Sequence, residues 1–78
     1  MNWKTYLVMY FRTDGEYSIA DVSEKVEELG FESALGPTDF IYDWKDKEPT
    51  KEDLFKLGDK LIETLKDSKV TFNLDTHN

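Results

Sequence analysis

The sequence predicts a two-layer α+β fold with the element order βαββαβ. Two units, each strand, helix, strand, follow one another within 78 residues. In each unit an alternating apolar stretch precedes apolar residues at helical spacing, and a second short alternating stretch follows. A chain of this length is expected to form one domain, residues 1–78, near the lower limit at which a single core sustains a fold.

The first unit consists of a strand at Trp3–Phe11, a helix at Ile19–Leu29 and a short edge strand at Phe31–Leu35. Along the first strand the odd residues share one face, which is predicted to be core, and the even residues share the other. Because the middle of the even face is also apolar, this strand is expected at the centre of the sheet. Ser18 is predicted to cap the helix, and Gly30 to follow it in the left-handed conformation.

The second unit consists of a strand at Phe40–Trp44, a helix at Leu54–Leu65 and a strand at Val70–Leu74. Thr50 is predicted to be the N-cap of the second helix, with Asp53 at the capping-box position. Both helices therefore have a start signal in the sequence as well as an apolar stripe.

Two features of the second unit are less regular. Gly58 lies in the middle of a helix, where glycine costs about 1 kcal/mol relative to alanine, and we expect it to permit a close approach to the sheet or to the other helix. The last residues, Thr76, His77 and Asn78, are expected to be frayed.

Right-handed crossovers between these elements allow one economical topology. It is a four-stranded antiparallel sheet of spatial order 4-1-3-2, with both helices on one face. Over nearly the whole chain this arrangement resembles the ferredoxin-like superfold. The resemblance rests on element order and core pattern, and the superfold serves enzymes, RNA binders, metal carriers and regulatory modules, so it implies an architecture and no single activity.

The charge of the chain is strongly negative and unevenly distributed. The formal net charge is −7, and the segment from Thr13 to Glu32 carries seven acids against one lysine. Such a field repels phosphate backbones, so nucleic-acid binding is disfavoured. Solubility is the simplest role for these acids; docking of a basic partner is the alternative, on the face of the first helix formed by Asp21, Glu24, Glu27 and Glu28.

The sequence lacks the residue types that several kinds of metal site and catalytic site require. There is no cysteine, and the single histidine, His77, is near the end of the chain, where it is expected to be solvated. Zinc, iron–sulfur and haem sites and nucleophilic triads are therefore not predicted, and no cofactor is expected. The absence of cysteine and of any apolar run of about 20 residues favours a cytoplasmic protein that does not span a membrane.

Carboxylates are the remaining source of catalytic chemistry. Asp14, in the first loop, and Asp39 and Asp43, around the third strand, are weak candidates for Mg²⁺ or Ca²⁺ ligands, because these cations prefer oxygen donors. They would suit a Mg²⁺-dependent nuclease or another metal-assisted hydrolase of ferredoxin-like fold. Solvated acidic loops are the simpler interpretation of these residues, so the metal-dependent nuclease or hydrolase is kept as the alternative function.

The sheet face away from the helices is the leading candidate site. It is predicted to carry Tyr6, Val8, Tyr10 and Ile41, an apolar group that needs a cover on an otherwise acidic protein. A second copy of the chain is the first choice of cover, another protein the second, and single-stranded RNA stacked on the tyrosines the third. The sequence thus predicts a small, acidic, non-catalytic protein that acts by protein–protein association, including homodimerisation, in a process it does not specify.

Overall fold

The computed structural model describes residues 2–11, 18–34, 36, 38–68 and 70–78. The elements follow the predicted order βαββαβ. Their bounds are β1 Lys4–Tyr10, α1 Ile19–Glu28, β2 Glu32–Ser33, β3 Asp39–Asp43, α2 Lys51–Leu65 and β4 Thr71–His77.

The four strands form one antiparallel sheet in the order β2-β3-β1-β4. Read from the opposite edge, this is the predicted order 4-1-3-2. β1 is central, with β3 on one side and β4 on the other, as its apolar character on both faces predicts. The chain is therefore an α+β protein with a four-stranded antiparallel sheet and two helices.

The core lies between the odd face of β1 and the two helices. Thr5, Leu7 and Met9 are almost inaccessible to solvent. A single buried cluster joins β1 to both helices and to β3, through Leu7, Met9, Val22, Val26, Phe31, Phe40, Leu57, Leu61 and Leu65, and the partly buried Phe72 of β4 packs against it. Since both helices contribute to this one cluster, they cover the same face of the sheet, and neither helix covers the even face of β1, which we call the open face.

A hydrogen-bonded threonine ties three strands together inside this core. The Trp44 indole Nε1–H, just beyond β3, donates to Thr5 Oγ1 at 2.8 Å, and Thr5 Oγ1 lies 2.7 Å from Thr76 Oγ1 in β4. Thr5 is only 1% exposed. A hydroxyl buried without partners would cost several kcal/mol, roughly 2–7, so these two contacts make its burial possible.

The predicted N-cap of α2 is confirmed: Thr50 forms a capping box with Asp53, and the helix begins at Lys51, one polar turn before the apolar stripe that starts at Leu54. Two strands have ends that differ from the sequence predictions by more than one residue. β2 is only two residues long. The prediction of a frayed C-terminus is wrong: β4 continues to His77, which pairs with Lys4 across the ladder.

Gly30 and Gly58 have different roles. Gly30 has φ +106°, which confirms the predicted left-handed position after α1, and a Cβ there would lie 3.0 Å from the Tyr42 ring. At Gly58, by contrast, a Cβ would meet no atom of the described residues within 4 Å, apart from its chain neighbours and the backbone of its own helix. The close approach predicted for Gly58 is therefore wrong, and only the helix propensity of that position matters.

Gly58→Ala is expected to stabilise the protein by about 0.5–1 kcal/mol, because it removes the backbone freedom of a mid-helix glycine without creating a clash. Urea unfolding followed by circular dichroism measures the change. Gly30→Ala is the matched control, and it should destabilise the protein because both its φ and its space exclude a Cβ. A loss of stability in Gly58→Ala would contradict this description of α2.

The cap of α2 gives a second prediction, which concerns pH. The pKa of the Asp53 carboxyl lies below its ordinary value, first because the Thr50 backbone N–H donates to it and then because the Lys47 ammonium does. A carboxyl with a lowered folded-state pKa adds stability that is fully present above its unfolded pKa of about 3.9 and is lost as the pH falls through the lowered value.

Asp53→Asn should therefore lower the free energy of unfolding at neutral pH. As the pH falls below about 4, the free energy of unfolding should decrease less in this variant than in the wild type. Urea unfolding at a series of pH values checks this. Asp59→Asn, at an exposed position of the same helix, is the control and should follow the wild type. If the free energy of unfolding fell equally with pH in the wild type and in Asp53→Asn, the cap would not act through this carboxylate.

Candidate functional site

The open face of the sheet is built by the alternation of β1. Because Thr5, Leu7 and Met9 point into the core, the side chains between them point away from both helices. Lys4, Tyr6, Val8 and Tyr10 therefore form a row along the middle of the open face. The strand is thus two-sided: one set of side chains makes the core, and the other makes a surface.

The structure brings the four predicted site residues onto this face. Ile41 lies directly opposite Tyr6 across the β1–β3 ladder, and Val8 is the next open-face residue of β1. Tyr6, Val8 and Ile41 are each half-buried and form an apolar centre, whereas Tyr10 stands at the end of the row, 55% exposed. We call this group of four side chains the open-face patch.

A shallow depression lies at the apolar centre. It has a volume of about 240 Å³. Its lining residues are Tyr6, Leu7 and Val8 of β1, Asp39, Phe40 and Ile41 of β3, and Ala34. Sites for small molecules measure roughly 300–1,000 Å³ and are usually more enclosed. The depression is therefore better matched to a side chain of another protein than to a metabolite.

Carboxylates surround the open-face patch. Asp39 is opposite Val8, Asp75 is opposite Tyr6, Asp43 is opposite Lys4, and Glu32 lies beyond Ile41 on β2. Against these four carboxylates the described part of the face offers the ammonium of Lys4 and the imidazole of His77. Its potential is therefore negative. This acidic rim could not be found from the sequence alone, because the strand register decides which acids border the patch.

His77 is exposed, as the sequence predicts, and its ring is also part of the open face. Its ring stacks on Tyr6 with a centroid separation of 4.7 Å and an interplanar angle of 13°. Its Nε2 lies 3.7 Å from the Asp75 carboxylate. The stack is possible because β4 continues alongside the start of β1, and it covers one side of the Tyr6 ring.

The acidic residues of α1 form a separate surface. Asp21, Glu24, Glu27 and Glu28 are all exposed, and Asp21, Glu24 and Glu28 line one shallow groove with Lys25. The helix packs on the other face of the sheet from the open-face patch. The two acidic surfaces therefore point in different directions and do not form one site.

The structure does not unite the predicted metal ligands. Asp14 lies outside the described residues. Asp39 and Asp43 share the open face but stand at the two ends of β3, four residues and about 13 Å apart along the strand. Among the residues that the structure describes, no group of three or more histidine, cysteine or carboxylate side chains is arranged to hold a metal ion.

Comparison with known proteins leaves the site to be interpreted from its own chemistry. No protein-family model, no curated protein and no solved structure matches the chain. Neither described helix is long and apolar enough to cross a membrane. The chain is thus a small α+β protein in which the sheet face away from both helices has an acidic rim.

The separation of Asp39 and Asp43 predicts the outcome of a metal titration. Micromolar Mg²⁺ or Mn²⁺ should cause no joint, saturable NMR shift at these two residues, because one ion cannot bridge carboxylates about 13 Å apart. Asp39→Asn is the control and should leave any weak shift at Asp43 unchanged. Joint saturation that disappears in Asp39→Asn would contradict the arrangement and favour the metal-assisted hydrolase.

Proposed function

We propose that this chain is a non-catalytic, ferredoxin-like association domain of the cytoplasm that binds another protein through its open sheet face. One observation carries the proposal: the open-face patch is an apolar centre surrounded by carboxylates. The ferredoxin-like assignment is supported by the strand order and by the position of both helices on one face, and the cytoplasmic location by the cysteine-free composition.

The apolar centre supports association because its burial would contribute free energy. Removing apolar surface from water contributes about 25 cal/mol per Å², and tyrosine is among the residues that most often dominate binding energy at interfaces. Tyr10, more than half exposed, and the depression beside Ile41 give a partner both a ring to cover and a hollow to fill.

The acidic rim indicates the chemistry of the partner. A binding segment with lysine or arginine beside apolar side chains complements both the rim and the centre, and complementary charge speeds encounter and suppresses wrong partners. A second copy would meet Asp39, Asp43 and Asp75 with the same carboxylates, so like-charge repulsion disfavours self-association through this face. A basic protein is therefore a better partner for the open face than a second copy, which the sequence alone favours.

The same two features argue against single-stranded RNA. Its phosphates would be repelled by the rim, and His77 already occupies one side of the Tyr6 ring, which a base would need for stacking. The acidic face of α1, formed by Asp21, Glu24, Glu27 and Glu28, is retained as a second proposed surface for a basic partner.

A designed peptide pair tests the proposal without a known partner. One set alternates leucine, valine or phenylalanine with lysine or arginine; the matched set carries glutamate at the basic positions. The basic set should shift the NMR signals of Tyr6, Val8 and Ile41, with an affinity that falls as salt rises, whereas the acidic set should not bind.

Two variants locate the binding. Val8→Lys places an ammonium in the apolar centre and should weaken the basic peptides at least tenfold, by charge repulsion and loss of apolar contact. Asp59→Lys on α2 makes a larger charge change away from the open face and from the acidic face of α1, and it should leave binding within about twofold. Shifts confined to α1 would place the binding on the second surface and contradict the proposal for the open face, as would equal binding of both peptide sets.

A further inference from the structure

The outer edge of β4 can be defined from the hydrogen bonds of β1. The Met9 N–H donates to the Thr38 carbonyl, and the Trp44 N–H donates to the Trp3 carbonyl. The odd residues of β1 therefore direct their backbone groups towards β3. Because backbone groups alternate in direction along a strand, the even residues of β1 direct theirs towards β4.

The register transfers this alternation to β4. Asp75 and Asn73 lie opposite Tyr6 and Val8, so the odd residues of β4 bond to β1. The even residues, Phe72, Leu74 and Thr76, consequently present their N–H and C=O groups to the outside. None of the residues that the structure describes pairs with this edge, since β4 is the last strand of the sheet.

The β4 edge lacks the usual protection against pairing. It is seven residues long, with no proline and no lysine, which are the residues that commonly block edge strands. The opposite edge, β2, is only two residues long and offers little backbone to a neighbour. The long edge is therefore the place where a further strand can be added.

We propose that β4 pairs antiparallel with β4 of a second copy of this chain, about a two-fold axis at Leu74. Leu74 is the central residue of the strand Thr71–His77. In this register the outward N–H groups of Phe72, Leu74 and Thr76 donate to the second copy's carbonyls of Thr76, Leu74 and Phe72. Every outward backbone group of the strand is then paired, and a shift of two residues would leave some unpaired.

The side chains are also self-complementary in this register. Asp75 stands opposite the second copy's Asn73, so its carboxylate meets an amide that can donate a hydrogen bond. Leu74 meets the second copy's Leu74, which is an apolar pair. No like charges are opposed across the axis, which is the condition that cross-strand pairs in a sheet have to meet.

The helix beside the edge adds apolar surface. Ile62 lines a groove with Leu65, Lys66, Val70 and Phe72, which places it next to the start of β4. Phe55 is seven residues earlier and so lies on the same side of α2. Phe55 is 71% exposed and Ile62 59%, so this flank carries two large apolar side chains that a second copy paired along β4 can bury.

The charge balance of α2 and β4 favours a second copy of the chain as the partner at the β4 edge. α2 with the adjoining Lys66 carries four lysines and four acids, and β4 contains one aspartate and one histidine. Two copies can approach along this flank without the repulsion that the acidic open face and α1 would cause. The inference is independent of the proposed function, because it uses the outer edge of β4 and the adjoining side of α2, whereas the proposed function uses the open face.

Sedimentation velocity at increasing concentration tests the inference with a matched pair of variants. The wild type should change from monomer to dimer. Leu74→Lys should weaken the dimer at least tenfold, because two ammonium groups meet at the axis. Asn73→Lys makes the same charge change one residue away but faces the second copy's Asp75, so the dimer should be retained.

A second variant covers the case in which Leu74→Lys unfolds. Leu74→Pro removes an outward N–H that is not bonded to β1 and also the apolar side chain at the axis; edge strands tolerate proline at such a position, so this variant should give a folded monomer. A wild type that stays monomeric overturns the inference. So does a dimer that Leu74→Lys leaves intact and Val8→Lys breaks, which would place self-association on the open face. Binding of the basic peptides should be unaffected by Leu74→Lys.

Discussion

The two-residue period of β1 is the constraint on which the rest of the structure depends. Its odd side chains hold the sheet to both helices, and Thr5 does so with a buried hydroxyl that is bonded to Trp44 on one side and Thr76 on the other. A shift of register by one residue would bury Tyr6 and expose Leu7, so the core contacts and the surface are fixed together. The open face is thus a direct consequence of how the core is made.

The small size of the chain explains why two surfaces remain unsatisfied. Two helices form one layer and cover one face of the sheet, so the other face meets solvent, and a four-stranded sheet has two edges. Charge divides the two surfaces: the open face has an acidic rim, whereas the flank of β4 and α2 is nearly neutral. The central claim is that this difference assigns the open face to a basic partner and the β4 edge to a second copy.

Much of the fold could be predicted from local signals, and the site only in part. Apolar periodicity and caps at Thr50 and Gly30 predict the element order, because these signals lie within a few residues of the structure they cause. The end of β4 could not be predicted, since Thr76 is fixed by Thr5, which is 71 residues away in sequence. The acidic rim and the His77–Tyr6 stack likewise depend on register, which no local pattern specifies.

Residue-resolved amide hydrogen exchange in dilute and concentrated solution tests the central claim most directly. The account predicts that the outward amides of Phe72, Leu74 and Thr76 exchange rapidly in dilute protein and become protected as concentration rises, while the amides of Asn73 and Asp75, bonded to β1, are protected in both. Equal exchange of the outward amides at both concentrations, with concentration-dependent changes at Tyr6, Val8 and Ile41 instead, would contradict it.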